Sequence, residues 1–491
     1  MWVLIKRMLL ALSVGLISVT PAVLTGPVKS LREGDRLYQR QEYSRSLDCY
    51  REAEKVGDLG TMPAVRIAKV QLVRRGRAST EEAQESLRKA GADEEVKLVV
   101  LGILAFERKD YAESQRYLES ALKARPFDEE ARYYLARSRL LLGEYDAAMG
   151  EFNSILARTD LAPSRWKEDS HYNLGLLYMV RHDQDAVEHL RKAEEAKFDL
   201  DLNKKAAKLL AAIGGWKGEH GQELVDFVST GTALLSVGEV RLARGQFERA
   251  IEMEGDVERD NATPLPPDGL EALAYLGYID WLEGKELSAE ERLDRFAHLR
   301  ADSPLGYYFL GVLRRSQGRL KEAAAEFQRA IGIDPKSAPA YVEMGRTLVL
   351  QRDYNGAAAA FECAVEIDPD NVGYLLQAAR FYLDHALRPD RALEIAERAT
   401  HLAPDSAETL DMLGWGLWAN GRTYDARYSL ERAVETDPEL ASAHYHLAVL
   451  LEKTGDEQAS AQEFQRAVEV DSSGNYAAEA EEALRTLGAH H

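Results

Sequence analysis

Four prolines constrain this chain more than any other feature. Pro335, Pro369, Pro404 and Pro438 follow one another at steps of 34, 35 and 34 residues. Between them the same residue types return in register. Leu310-Gly311 recurs as Met344-Gly345, Ala378-Ala379, Leu413-Gly414 and Leu447-Ala448. Phe327 recurs as Phe361, Ala396, Leu430 and Phe464, and Ala330 as Ala364, Ala399, Ala433 and Ala467. The unit is clearest from Pro304 to Lys336, which reads as two short helices. Tyr307, Leu310, Gly311 and Arg314 share one face of the first; Ala323, Phe327 and Ala330 share one face of the second. Gln317-Gly318-Arg319 is the turn, and Asp334-Pro335 ends the second helix, because proline supplies no backbone N–H. A hairpin this short cannot bury both of its apolar seams alone. Copies stacked side by side can.

A large residue, Leu-Gly, then Ala, an aromatic and a late Pro in a 34-residue period resemble the tetratricopeptide repeat. The resemblance extends over nearly all of Pro27 to Gly474. It implies an all-α fold: a right-handed superhelical solenoid of about twelve helical hairpins, with a C-terminal capping helix from Tyr476 to Leu487. Gly or Ala then stands where the two helices of a hairpin approach most closely. Leu, Phe and Tyr fill the spaces between neighbouring units.

Earlier units keep the spacing less strictly. Glu95 to Asp128 is clear, with Leu101-Gly102, Leu118 and Ala121, whereas Thr61 to Glu94 is degenerate. The period breaks at the glycine-rich run from Gly214 to Gly221, and again at a proline-rich loop over 255–269. The expected organisation is a leader over 1–26, an N-terminal array over 27–213, the break over 214–223, a C-terminal array over 224–474, and a cap with its tail over 475–491.

The leader has Lys6 and Arg7 ahead of an uncharged run from Met8, then Thr20-Pro21-Ala22. That order is the layout of a secretory signal, and the run is also at the lower edge of a membrane span. Cleaved signal and retained single anchor therefore both stand, and each places the repeats outside the cytoplasm, periplasmic or secreted. The formal net charge of −20 argues against nucleic acid or an anionic membrane surface as the main partner. Cys49 and Cys363 lie far apart in sequence and read as small buried packing residues, not a disulfide framework.

No phosphate loop, zinc-protease helix, paired Cys-x-x-Cys or nucleophile elbow occurs, so the sequence predicts no catalytic residue, no cofactor and no metal site. Gly414-Trp415-Gly416 matches part of a dinucleotide fingerprint but lies within a first helix, where Gly414 is the repeat's own small residue. His444 and His446 are two apart on a helix and point to different sides. An enzyme or enzyme-regulatory subunit would have its site near the break at 214–226, around Trp216, His220 and Asp226, with no base or nucleophile pair beside them. A self-assembling solenoid is a further alternative.

The remaining signal is surface. Beside the packing face of each first helix runs a second stripe, offset by one residue. It holds Tyr133, Arg137, Tyr172, Tyr278, Trp281, Tyr308, Val312, Arg315, Arg346, Arg380, Trp415, Trp418 and Tyr445. First helices of tetratricopeptide proteins line the concave side, so the resemblance implies that this stripe faces a groove. Aromatic rings interleaved with arginines suit the apolar side chains and carboxylates of a protein or peptide partner. The stripe either presents those residues or, if the superhelix winds tightly, packs them together. The two-carboxylate clamp of chaperone-binding members and the asparagine ladder of the O-GlcNAc transferase type are both missing from the corresponding positions. The expected function is thus a non-enzymatic scaffold or adaptor, with a cell-envelope assembly or trafficking role suggested by the leader.

Overall fold

The computed structural model describes residues 26–40, 43–55, 62–73, 83, 85–86, 94–158, 164–213, 223–257, 267–385, 387–471 and 474–488. The leader, most of the break and the tip of the proline-rich loop lie outside them. Every regular element among the described residues is a helix.

Two compact units divide at Ser138 and Arg139. In the first, α1 (Gly26–Gln39) pairs with α2 (Tyr43–Lys55), α3 (Met62–Val73) follows, and α4 (Glu94–Glu107) pairs with α5 (Tyr111–Ala124). The boundary falls inside α6 (Glu129–Leu142). The second unit continues with α7 (Tyr145–Leu156), α8 (Arg165–Val180), α9 (Asp185–Glu194), α10 (Leu200–Ile213), α11 (Glu223–Ser236) and α12 (Val240–Val257). Then come α13 (Pro267–Leu282), α14 (Glu286–Leu299), α15 (Pro304–Ser316), α16 (Leu320–Ile333), α17 (Ala338–Leu350), α18 (Tyr354–Ile367) and α19 (Val372–Asp384). The last are α20 (Pro389–Leu402), α21 (Ala407–Ala419), α22 (Thr423–Thr436), α23 (Ala441–Thr454), α24 (Glu457–Val470) and α25 (Ala477–Gly488). Helices on both sides of residues 214–223 share one apolar core, which includes Leu209 and Ile213 from α10 and Leu234 and Phe247 from α11 and α12.

Hairpin geometry follows from the repeated residue types. A Cβ on Gly311 would stand 2.6 Å from the Phe327 ring, and one on Gly414 would stand 2.6 Å from Leu430. The small residue therefore lets the second helix bring its large one against the first helix's backbone. In three hairpins a serine of the second helix donates to the carbonyl of that same small position: Ser46 to Gly34 at 2.8 Å, Ser114 to Gly102 at 2.8 Å, and Ser460 to Ala448 at 2.9 Å. The turn needs one left-handed residue. Gly318 supplies it at φ +74°, but in the next hairpin the equivalent is Arg352 at φ +63°. Asp353 then caps α18 by accepting from the Gly356 N–H at 3.0 Å.

Cys49 and Cys363 are free thiols and only half-buried, not buried packing residues. Each is pushed up, by burial first and by neighbouring glutamates after it.

Candidate functional site

The stripe does not form one uniform surface. In the first unit Tyr133 and Arg137 are half-buried on α6, and the Tyr133 ring meets Tyr134 edge-on at 5.6 Å. In the second unit Tyr172 is 4% exposed inside the apolar core with Leu176 and Met179. Val312 is 6% exposed, packed with Ala323 and Phe327. These two belong to the interior, not to a binding face, because β-branched or aromatic bulk at those positions fills the space between units.

Tyr278, Trp281 and Tyr308 form a half-buried aromatic layer. Tyr278 stacks on Phe309 at 4.6 Å, and Tyr308 meets Phe327 edge-on at 6.1 Å. The Trp281 Nε1–H donates to Ser316 Oγ at 2.8 Å. Burial, and after it the Glu343 carboxylate, push the Tyr278 and Tyr308 hydroxyls up, so both remain neutral donors.

Beyond this layer Arg315, Arg346 and Arg380 come together on one cleft of about 750 Å³, carried by α15, α17 and α19. Its apolar wall comes from Val349, Leu376, Phe361 and Phe381, and its polar groups include Gln377, Asp384, His385 and Glu408. This is the size of a ligand cleft in proteins generally. The three arginines are not equivalent. Glu343, 8% exposed, accepts from Arg346 Nη1 at 2.9 Å and from Arg315 Nη2. One internal carboxylate therefore already offsets part of two guanidinium charges. Arg380 is exposed and forms no ion pair among the described residues. Asp384, four residues further along α19, is held up by burial, which its neighbour Arg380 opposes. Two polar atoms on the cleft wall, Arg315 Nε and Gln377 Oε1, are buried with no hydrogen-bond partner among the described residues.

The C-terminal part of the stripe is different again. Trp415 stacks on His446 at 4.4 Å with planes 14° apart, and His446 Nδ1 bonds the buried Asp411 at 2.7 Å. Tyr445 touches the rings of His446 and Tyr476. Trp418 is half-buried against the Leu417 and Leu447 cluster. His444 turns the other way, to Glu463 at 2.6 Å, so the two histidines do point to different sides.

Glu343, Gln377, Asp384 and Tyr476 were not part of the sequence-derived stripe, whereas Asp411 was, one turn before Trp415. Glu343 alone carried a usable signal, a carboxylate one turn before Arg346 on the same helix. Trp216, His220 and the Asp226 side chain lie outside the described residues, and among the described ones no group of three or more metal-binding side chains converges.

Antiparallel hairpins of this length, stacked through small-to-large contacts, define a helical-repeat scaffold of the kind that mediates protein–protein interaction. The tetratricopeptide repeat pattern matches residues 99–164, 284–338 and 412–480, and a second form of it matches 338–371. The chain belongs to the tetratricopeptide repeat family. It is 21% identical over 337 residues to a BBSome complex member BBS4 homolog of Drosophila melanogaster, covering 68% of this chain and 63% of that one. It is 24% identical over 178 residues to an FK506-binding protein-like protein of Mus musculus, covering 34% of this chain and half of that one. The chain thus spans less than two thirds of either relative. Among solved structures, a tetratricopeptide repeat protein of Parabacteroides merdae aligns at 15% identity and TM-score 0.39 over 54% of this chain and 99% of its own. A thermophilic one from Thermus thermophilus aligns at 20% and 0.32 over 37% and 99%.

Proposed function

We propose that the second unit holds an extended acidic peptide segment of a partner protein across the cleft of α15, α17, α19 and α21. The observation that carries this reading is the convergence of Arg315, Arg346 and Arg380 on one cleft with an apolar wall, where Arg380 is exposed and forms no ion pair among the described residues. Arg380 and the outward face of Arg346 supply charge-assisted contacts for carboxylates, and Val349 and Leu376 take an aliphatic side chain. On a chain of net charge −20, three clustered arginines also make this cleft a local attractor for acidic segments.

The test is the charge-reversed pair R346E/R380E in the full chain, assayed for partner capture and for melting temperature. Capture should be abolished with little change in melting. Undiminished capture sinks the reading. A large fall in melting temperature would instead mark the arginines as structural, with Arg346 the suspect because it clasps Glu343.

The same reading places the repeats outside the cytoplasm, in a cell-envelope assembly or trafficking role. Its support is the basic, apolar, small-residue order of residues 1–26. N-terminal sequencing of the mature chain from fractionated cells separates cleavage from anchoring, and recovery of the chain in the cytoplasm contradicts both.

A further inference from the structure

The hairpin of α8 and α9 brings two imidazole nitrogens together. His171 Nδ1 and His189 Nδ1 stand 3.0 Å apart, with ring centroids at 5.1 Å and planes 40° apart. The small-to-large contact of the repeat sets this approach. A Cβ on Gly175 would stand 2.7 Å from Leu190, so the glycine lets Leu190 close on α8. His171 lies one turn before Gly175, and His189 directly precedes Leu190. Tyr178 stacks on His189 at 5.3 Å with planes 19° apart, which steadies that ring. Both histidines are half-buried, so water reaches them.

The geometry points to the Nδ1 atoms of His171 and His189 as a site for one divalent ion of the zinc, copper and nickel class, bridging α8 and α9 with water in its remaining positions. Zinc holds imidazole nitrogen at about 2.0–2.1 Å, so two such ligands about 3.0 Å apart subtend roughly 90° at the ion. Opening the pair to about 3.4 Å gives the tetrahedral angle, a small pivot for half-buried rings. The Nδ1–Nδ1 hydrogen bond needs a proton on one of the two nitrogens. Moving that proton to Nε2 of the same ring leaves a lone pair on each Nδ1, so the ion enters without net loss of a proton. The surroundings suit a cation. Asp185 lies one turn before His189 and Glu188 directly before it, both exposed. Lys192 donates to Glu188 at 2.6 Å, which offsets the ammonium charge nearby. Two imidazoles select this class of ion over magnesium or calcium, which prefer oxygen ligands.

Two measurements on the full chain test this. Titration calorimetry with Zn²⁺ should count one ion fewer in H171Q/H189Q than in wild type. Amide exchange of wild type, at a Zn²⁺ concentration ten times the dissociation constant so found, should show protection in α8 and α9 raised up to about tenfold. Helix α20, which carries the exposed His401, should be unchanged, and Mg²⁺ at the same concentration should have no effect. No added protection in α8 and α9 overturns the site. So does equal protection of α20, which would mean binding to any imidazole, or an equal effect of Mg²⁺, which would mean binding to Asp185 and Glu188 alone. An isotherm unchanged in H171Q/H189Q overturns it too. If that variant loses its helical circular dichroism, the exchange of wild type decides by itself.

Discussion

Gly311 and Gly332 offer a matched pair of substitutions with opposite expected signs. Both lie in the hairpin of α15 and α16, and both would gain from alanine's helix propensity, about 1 kcal/mol in a helix interior and less near an end. At Gly332 nothing stands within 4 Å of the added Cβ. G332A should therefore stabilise by roughly 0.5–1 kcal/mol. At Gly311 the added Cβ would meet three Phe327 ring atoms at 2.6, 2.8 and 2.8 Å. That ring is fully buried and cannot retreat. Overpacking of this kind costs about 1–3 kcal/mol, and steric conflict with an immobile ring puts the cost near the upper end. After the propensity gain, G311A should destabilise by about 1–2 kcal/mol. Because repeat arrays can unfold in parts, the assay is urea denaturation followed by circular dichroism, together with amide exchange of α15 and α16. G311A should raise exchange in those two helices and in the neighbours they stack on, while G332A slows it. If both variants shift stability in the same direction, the close-approach account of the Leu-Gly position is wrong.

Reciprocal exchange at the hairpin turn tests the left-handed requirement: R352G should gain roughly 0.5 kcal/mol and G318R lose about 1 kcal/mol by urea melting, and equal effects would refute it. Asp280 is 2% exposed and takes Arg244 at 2.7 Å and Arg292 at 2.8 Å, so D280A, by leaving two guanidiniums short of a partner, should cost about 3 kcal/mol; a loss under about 1 kcal/mol in urea would show the network to be neutral. His171 and His189 face each other through their Nδ1 atoms at 3.0 Å, and burial, then His189 and Lys192, hold His171 down to about 4, with His189 also lowered by burial and then Lys192. Because these folded-state values lie below the unfolded one, the neutral pair contributes stability above about pH 6.5 that is lost as pH falls toward 4. Water contact of both rings limits that loss to about 1–2 kcal/mol. Amide exchange of α8 and α9 at pH 7 and pH 4.5 should show it, and H171Q/H189Q should flatten the difference; an unchanged slope would discount the pair.

How much of this was legible in the sequence depends on distance along the chain. The hairpin is local. Proline spacing, the Leu-Gly position and the Ala–Phe face lie within one period, and Pro304–Ser316 and Leu320–Ile333 fall where those residues place them. The stripe beside the packing face was also local, since helical geometry alone offsets it by one residue. Which of its residues meet water was not. Val312 and Tyr172 are interior because a neighbouring unit covers them, and no residue within their own period says so.

The charge state of the cleft lies further still from a one-dimensional reading. Arg315 and Glu343 are 28 residues apart, and their pairing depends on the stagger between α15 and α17. Sequence by itself determined the repeating unit, the helical class and the stripe worth examining, because 3.6-residue geometry and proline's missing N–H act within a few turns. Only tertiary structure decided that Arg315 and Arg346 share an internal carboxylate and that Arg380 does not. Those contacts join residues whose proximity is a sum of small rotations, and no single period of the chain encodes that sum.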